Sequence, residues 1–164
     1  MAPRSSSSMK SSAGILAYRR ADGLIEVLLV HPGGPFWRNK DDGAWSIPKG
    51  EFDATEDPEH AARREFAEEL VPAAVIGTLR ALGEVVQRGG KRVLAFAGEG
   101  EFDPAKLASN TFEIEWPPRS RRMQSFPEID RAEWFDLETA KLKMLSGQVE
   151  LLNRLSASLS RRLP

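Results

Sequence analysis

Gly50-Glu51-Phe52-Asp53-Ala54-Thr55-Glu56-Asp57-Pro58-Glu59-His60-Ala61-Ala62-Arg63-Arg64-Glu65-Phe66-Ala67-Glu68-Glu69 is the segment on which the reading of this 164-residue chain turns. Asp57 suits a helix N-cap and Pro58 the first helical position, where a missing N–H costs nothing. A helix is therefore predicted over residues 58–70, stopped by Pro72. Ala62, Phe66 and Leu70 recur every four residues and form an apolar stripe. At about 100° per residue, Glu65, Glu68 and Glu69 fall within about 100° of one another. Ala61 lies one turn earlier on that face and leaves room above the carboxylates. Such a helix can pack on a sheet while holding three carboxylates at one edge of the interface. Like charges at these spacings cost roughly 0.2–0.5 kcal/mol per pair. Arg64, four residues before Glu68, offsets part of that, and a divalent cation would offset far more.

The donors on this face are oxygens. The chain has no cysteine and only two histidines, His31 and His60, of which His60 points away from the glutamates. Oxygen-only ligation selects Mg²⁺ or Mn²⁺ ahead of Ca²⁺. Mg²⁺ keeps several waters and shares its shell with phosphate oxygens, so few carboxylates suffice and a phosphate ligand is expected. Three glutamates on a helix, taken alone, also describe a solvated acidic face.

The longer pattern separates the two readings. Gly50 is followed by five residues and Glu56, then by seven residues and Arg64-Glu65-Phe66-Ala67-Glu68-Glu69. This spacing resembles the box of the Nudix family. Upstream, Trp45-Ser46-Ile47-Pro48-Lys49-Gly50 is similar to the approach to that box. Asp130-Arg131-Ala132-Glu133-Trp134-Phe135 is similar to a late Nudix strand before the closing helix. The resemblance spans about residues 12–156, and the box is its one strongly specific part. It implies an α/β fold, an α/β/α sandwich with a mixed sheet, and a metal-dependent pyrophosphohydrolase acting on a nucleoside diphosphate linked to another group. It assigns Glu65, Glu68 and Glu69 as metal ligands, one of them also orienting or deprotonating water. The Gly50 carbonyl would add a ligand, and Glu56 would pair with Arg64 to hold the loop on the helix. Mg²⁺, with Mn²⁺ an alternative, is the implied cofactor. The sequence departs from the family where the box asks for glycine and then an apolar residue. Here stand Val71 and Pro72, and a β-branched valine disfavours a left-handed helix cap. A non-catalytic, nucleotide-binding regulatory Nudix module is the alternative. Its mark would be a lost box carboxylate, and none is lost.

Around the box, residues 13–19 and 25–31 read as two strands of a hairpin, and 31–43 as a Gly/Pro-rich loop. Residues 45–47 read as a short strand and 49–57 as a loop. Strands are expected over 79–87 and 92–97 around a tight turn, a short helix over 103–110, and a strand over 111–116. A basic loop over 117–127, a strand over 132–135 and two helices over 137–145 and 147–159 complete the pattern. One domain over 13–160 follows, with 1–12 a Ser-rich disordered tail. The net charge of −1 draws the chain toward neither nucleic acid nor an anionic membrane. No apolar run approaches the ~20 residues of a membrane span. The expected partner is a small nucleotide, the default setting is cytoplasmic, and oligomeric state is not legible.

Loop residues carry the substrate reading. Lys49, beside Gly50, reads equally as a phosphate contact or a surface lysine. Phe36 and Trp37 could stack on a nucleobase or cover the core edge. Arg119, with Arg121 and Arg122, could grip a polyphosphate or form a solvated loop, and Arg88 and Lys91 are similarly double. Glu128 reads as a late general base, an extra metal ligand or a solvated carboxylate. Together these tilt the substrate toward a nucleoside triphosphate or dinucleoside polyphosphate.

Overall fold

The computed structural model describes residues 11–70 and 75–160. The Val71-Pro72 departure, most of the expected N-terminal tail and the last four residues lie outside them. β1 (Ser11–Ala21) and β2 (Leu24–Pro32) form the predicted hairpin. Its two-residue turn, Asp22-Gly23, has positive φ at both positions (51° and 80°), which matches the right-handed twist of the flanking strands. β1 starts at Ser11, two residues inside the stretch read as tail.

β1 is the organising strand. It pairs antiparallel with β2, antiparallel with β3 (Lys49–Glu51) and parallel with β6 (Arg92–Glu101). β5 (Arg80–Val86) and β4 (Val75–Ile76) pair antiparallel with β6, and β9 (Ile129–Asp136) with β2. Among the described residues these seven strands form one mixed sheet. Alternation along β1 sends Ala13, Ile15 and Ala17 to one face, where they pack with Ala62, Phe66 and Leu70 of helix α1 (Pro58–Glu69) and its cap. Leu16 and Tyr18 go to the other face, against Ala140 of α2 (Leu137–Lys143) and Leu151, Leu152 and Leu155 of α3 (Glu150–Ser160). A strand buried on both faces is apolar throughout, as residues 13–18 are. The sheet thus lies between helices, the predicted sandwich, and the apolar stripe of α1 packs as read. None of the described helices is long and apolar enough to cross a membrane.

Four local expectations need correction. Residues 45–47 are not a strand: Ser46 bridges Val30 and Trp45 bridges Met144, so neighbouring residues answer to different partners. The ladder begins later, at Lys49–Glu51, where a loop was expected, because β1 offers a free edge to Ala13↔Gly50 pairing. The expected helix over 103–110 is only a 3₁₀ turn, Pro104–Lys106. Residues 123–127 are not loop but β8 (Met123–Pro127), which pairs with β7 (Thr111–Glu115) in a ribbon separate from the main sheet. β8 has no period-2 apolar signal; its partner's Phe112, opposite Phe126, supplies the register.

Buried His31 fixes the loop that runs over the site. Its Nδ1 lies 2.8 Å from Asp130 Oδ1 and its Nε2 2.6 Å from the Lys40 carbonyl. Asp41 completes the attachment by accepting from Trp45 Nε1 at 2.8 Å and Lys143 Nζ at 2.6 Å. These bonds, from Lys143 first, hold the Asp41 carboxyl below its usual range.

Candidate active site

Helix α1 begins where the sequence places it, with the Asp57 carboxylate accepting the His60 main-chain N–H at 3.1 Å. Its buried stripe fixes rotation about its axis, so Arg64, Glu65, Glu68 and Glu69 must line the flank facing β3. Gly50 sits at the centre of β3, opposite Ala13. A Cβ added to Gly50 would stand 2.0 Å from the Glu65 carboxyl carbon and 2.1 Å from its Oε1. Only glycine lets the Glu65 carboxylate lie against this stretch of main chain.

Arg64 gathers the carboxylates. Its Nε and Nη2 donate to the two oxygens of Glu56, each at 2.9 Å, a bidentate pair. Its Nη1 donates to Glu65 Oε2 at 2.8 Å and Glu68 Oε1 at 3.4 Å. Arg64 hydrogen bonding holds the Glu56 carboxyl below its usual range against some desolvation, with His60 helping. The loop between Gly50 and the helix is thereby tied down at Glu56, as a fixed backbone ligand requires.

Glu69 turns the other way, into a cleft of about 280 Å³ that it lines with Lys49, Trp37, Lys91 and Glu128. Burial first, then the charge of Glu65, pushes its carboxyl up to about 8. Lys49 opposes this through its charge and a main-chain hydrogen bond to the carboxylate, while Glu128 reinforces it. Lys49 is itself lowered, by burial and then by Lys91. An acid and a base are both pushed toward neutrality in one cleft, a common signature of working sites.

Among the described residues no three acidic or histidine side chains form a ready-made metal cluster. Glu65 and Glu68 are instead turned to Arg64. The residues nevertheless fit a hard divalent cation. All side-chain donors here are carboxylate oxygens, the Gly50 cradle excludes a Cβ, and the buried Glu69 carboxyl gains from any added positive charge.

The structure therefore brings Gly50, Glu56, Arg64, Glu65 and Glu68 into one network and Lys49, Glu69, Glu128, Trp37 and Lys91 into one cleft. Phe36 is not in the cleft. It stands on Trp116, with ring centroids 5.3 Å apart, and is 59% exposed. Arg119 is at the tip of the β7–β8 ribbon, also outside the cleft wall. Glu128 reaches the cleft because its carbonyl accepts from Gly33 N–H (2.9 Å) and its N–H donates to Asn110 (2.8 Å).

A model of the NUDIX domain matches residues 9–155. The chain belongs to the Nudix family. An RNA pyrophosphohydrolase of Gluconacetobacter diazotrophicus is 31% identical over 123 residues, spanning 64% of this chain and 62% of that protein's length. The Ap4A hydrolase of C. elegans, solved as a binary complex, has a similar fold (TM-score 0.57, 24% identity, 93% of this chain and 98% of that one). So has RenU, a Nudix hydrolase of M. smegmatis (TM-score 0.57, 23% identity, 94% and 88%).

One support of the cleft escaped sequence reasoning. Gln148, fully buried, accepts from Ile47 N–H at 3.0 Å and donates to Ser46 Oγ at 3.0 Å and Gln87 Oε1 at 2.8 Å. Ser46, Ile47 and Gln87 all line the cleft. Nothing local marks this glutamine, since its partners lie 101, 102 and 61 residues away. Gln148→Leu would orphan the buried Ile47 N–H, at roughly 1–3 kcal/mol where water cannot enter, and would take one partner each from the half-buried Ser46 and Gln87 side chains. A melting point several degrees below wild type is expected by calorimetry, and an unchanged one would mean that water replaces the amide.

Proposed function

We propose that this chain is a Mg²⁺- or Mn²⁺-dependent pyrophosphohydrolase that cleaves a phosphoanhydride bond in a nucleoside diphosphate derivative, a nucleoside triphosphate or dinucleoside polyphosphate. The observation that carries the reading is the position of Glu69. It opens into the cleft beside Lys49, while its helix neighbours Glu65 and Glu68 stay outside with Arg64. In this reading the Gly50 carbonyl and the carboxylates of Glu65, Glu68 and Glu69 would hold the cation. A bound divalent cation supplies Lewis acidity, neutralising phosphate charge and acidifying water. Glu69, which faces the cleft, takes the proton of the attacking water. Water oxygen bonds to phosphorus, the anhydride P–O bond breaks, and the leaving phosphate departs with that electron pair. Lys49 faces the phosphates from the cleft wall, and Trp37 offers a flat apolar face for the base. Arg64 and Glu56 act indirectly, by keeping Gly50 and Glu65 in register. The activity of the 31%-identical relative, an RNA pyrophosphohydrolase, supports the bond type. The non-catalytic alternative lacks support among the described residues, since each box carboxylate is present.

The test is a substrate panel of nucleoside triphosphates, dinucleoside polyphosphates, ADP-ribose and nucleotide sugars, with Mg²⁺, Mn²⁺ or EDTA. Release of a mononucleotide or phosphate from some member, abolished by EDTA, is expected. Binding of a panel nucleotide without turnover would overturn the enzymatic reading in favour of the regulatory module.

A further inference from the structure

The feature left unused by the cleft is the β7–β8 ribbon with the loop packed on it. Pairing of Phe112 with Phe126 and Ile114 with Gln124 puts Phe112, Ile114 and Trp116 on one face of the ribbon. The loop from Gly33 to Trp37 lies along that face: Gly33 meets Pro127, Gly34 meets Phe112 and Phe36 meets Trp116. Adjacent residues then diverge, Trp37 into the cleft and Phe36 onto the ribbon. The outer aromatic pair is thus one residue from the cleft wall, and Phe36 shows most of its surface to solvent.

The tip beside this pair carries Arg119, Arg121 and Arg122, all exposed. Elsewhere Arg19, Arg64 and Arg92 sit against Glu26, Glu56 and Glu84. Among the described residues none of the three tip guanidinium groups has a hydrogen bond or ion pair; the bonds here are made by the main chain, the Arg121 N–H donating to Glu115, the Arg122 N–H to Ser120 Oγ and the Arg122 carbonyl accepting from Trp116 N–H. Glu113 and Glu115 alternate with the aromatics and so occupy the opposite ribbon face. Unpaired guanidinium groups beside the exposed Phe36 and the half-buried Trp116 suit one ligand chemistry, a flat base joined to a phosphate.

We infer that Phe36, Trp116 and the arginine tip form a second nucleotide-binding ledge outside the cleft, which selects substrates carrying a nucleotide unit beyond the cleaved anhydride. This rests on the proposed hydrolase reading and narrows it, placing the simple triphosphate second. Such a unit has two sources: the distal nucleotide of a dinucleoside polyphosphate, or the first nucleotides of a 5′-polyphosphorylated oligonucleotide. The net charge of −1 does not oppose either, because the attraction is local.

The experiment measures kcat/KM for ATP, diadenosine tetraphosphate and a 5′-triphosphorylated tetraribonucleotide. It uses wild type, Phe36→Ala, Phe36→Trp and the Arg119→Ala/Arg121→Ala/Arg122→Ala variant. For at least one two-unit substrate, the ratio of its kcat/KM to that for ATP falls about tenfold in Phe36→Ala and in the triple variant, mainly through KM. Phe36→Trp restores it, and the triple variant flattens its dependence on salt. The substrate whose ratio falls identifies the source. Ratios within twofold of wild type, or a wild type that turns over ATP alone, would overturn the ledge while leaving the hydrolase intact. A wild type inactive on all three but active on ADP-ribose or a nucleotide sugar also removes the ledge. Inactivity on every anhydride removes the parent reading instead.

Discussion

Glu69→Gln is expected to lower kcat by about 10²- to 10⁴-fold, the usual worth of a positioned general base, while shifting the melting point by no more than about 2 °C. The two halves have separate causes. Activity falls because an amide cannot take a proton from water or donate a full negative charge to a cation. Stability holds because burial and the charge of Glu65 outweigh what Lys49 gives the native carboxylate. Its pKa is pushed up to about 8 by burial and Glu65, so folding disfavours the charged form. For a carboxyl group raised in this way, folding takes up protons, and stability of the metal-free protein falls as pH rises from the ordinary carboxyl range toward 8. A neutral isostere escapes that penalty and still accepts the Lys49 N–H. Steady-state kinetics at saturating Mg²⁺ and a thermal melt on the same preparation decide the matter. Equal rates for variant and wild type would remove Glu69 from the chemistry, and a collapsed melting point would make its role structural.

Gly50→Ala should be nearly as damaging through geometry alone. The new methyl would occupy the place of the Glu65 carboxyl group, 2.0 Å from its carbon. φ at Gly50 is not positive, so alanine is acceptable to the backbone, and the conflict lies entirely with that side chain. A carboxylate at the end of a flexible chain can swing aside, so the stability cost is that of modest overpacking, about 1–3 kcal/mol. Swinging aside removes Glu65 from β3 and loosens its 2.8 Å bond to Arg64. We expect kcat/KM at fixed Mg²⁺ to drop at least ~100-fold, a misplacement effect, with the half-saturating Mg²⁺ concentration rising. Titration of activity with Mg²⁺, alongside urea denaturation, tests this. Wild-type Mg²⁺ dependence in a folded Gly50→Ala protein would refute the role given to the Gly50–Glu65 contact.

What the sequence by itself determined is local and periodic. Asp57 and Pro58 start α1, the four-residue stripe from Ala62 orients it, and that orientation places Glu65, Glu68 and Glu69 together on its flank. The Glu56–Arg64 pair that the family resemblance implied forms between a loop and a helix adjacent in the chain. Strands with strong apolar character, β1, β2 and β6, were legible for the same reason.

Tertiary structure decided everything set by partners far away in the chain. β3 exists because β1 presents an edge to it, and β8 because Phe126 finds Phe112, so neither carries its own periodic signal. The division between Trp37 in the cleft and Phe36 on the ribbon is invisible in two adjacent aromatics; it arises from where the ribbon lies. The separation of Glu69 from Glu65 and Glu68 follows from cleft burial and the reach of Arg64, and Gln148 acts only through contacts across the fold. Side-chain periodicity can point a residue toward a face, but burial and charge at that face depend on what the rest of the chain packs there.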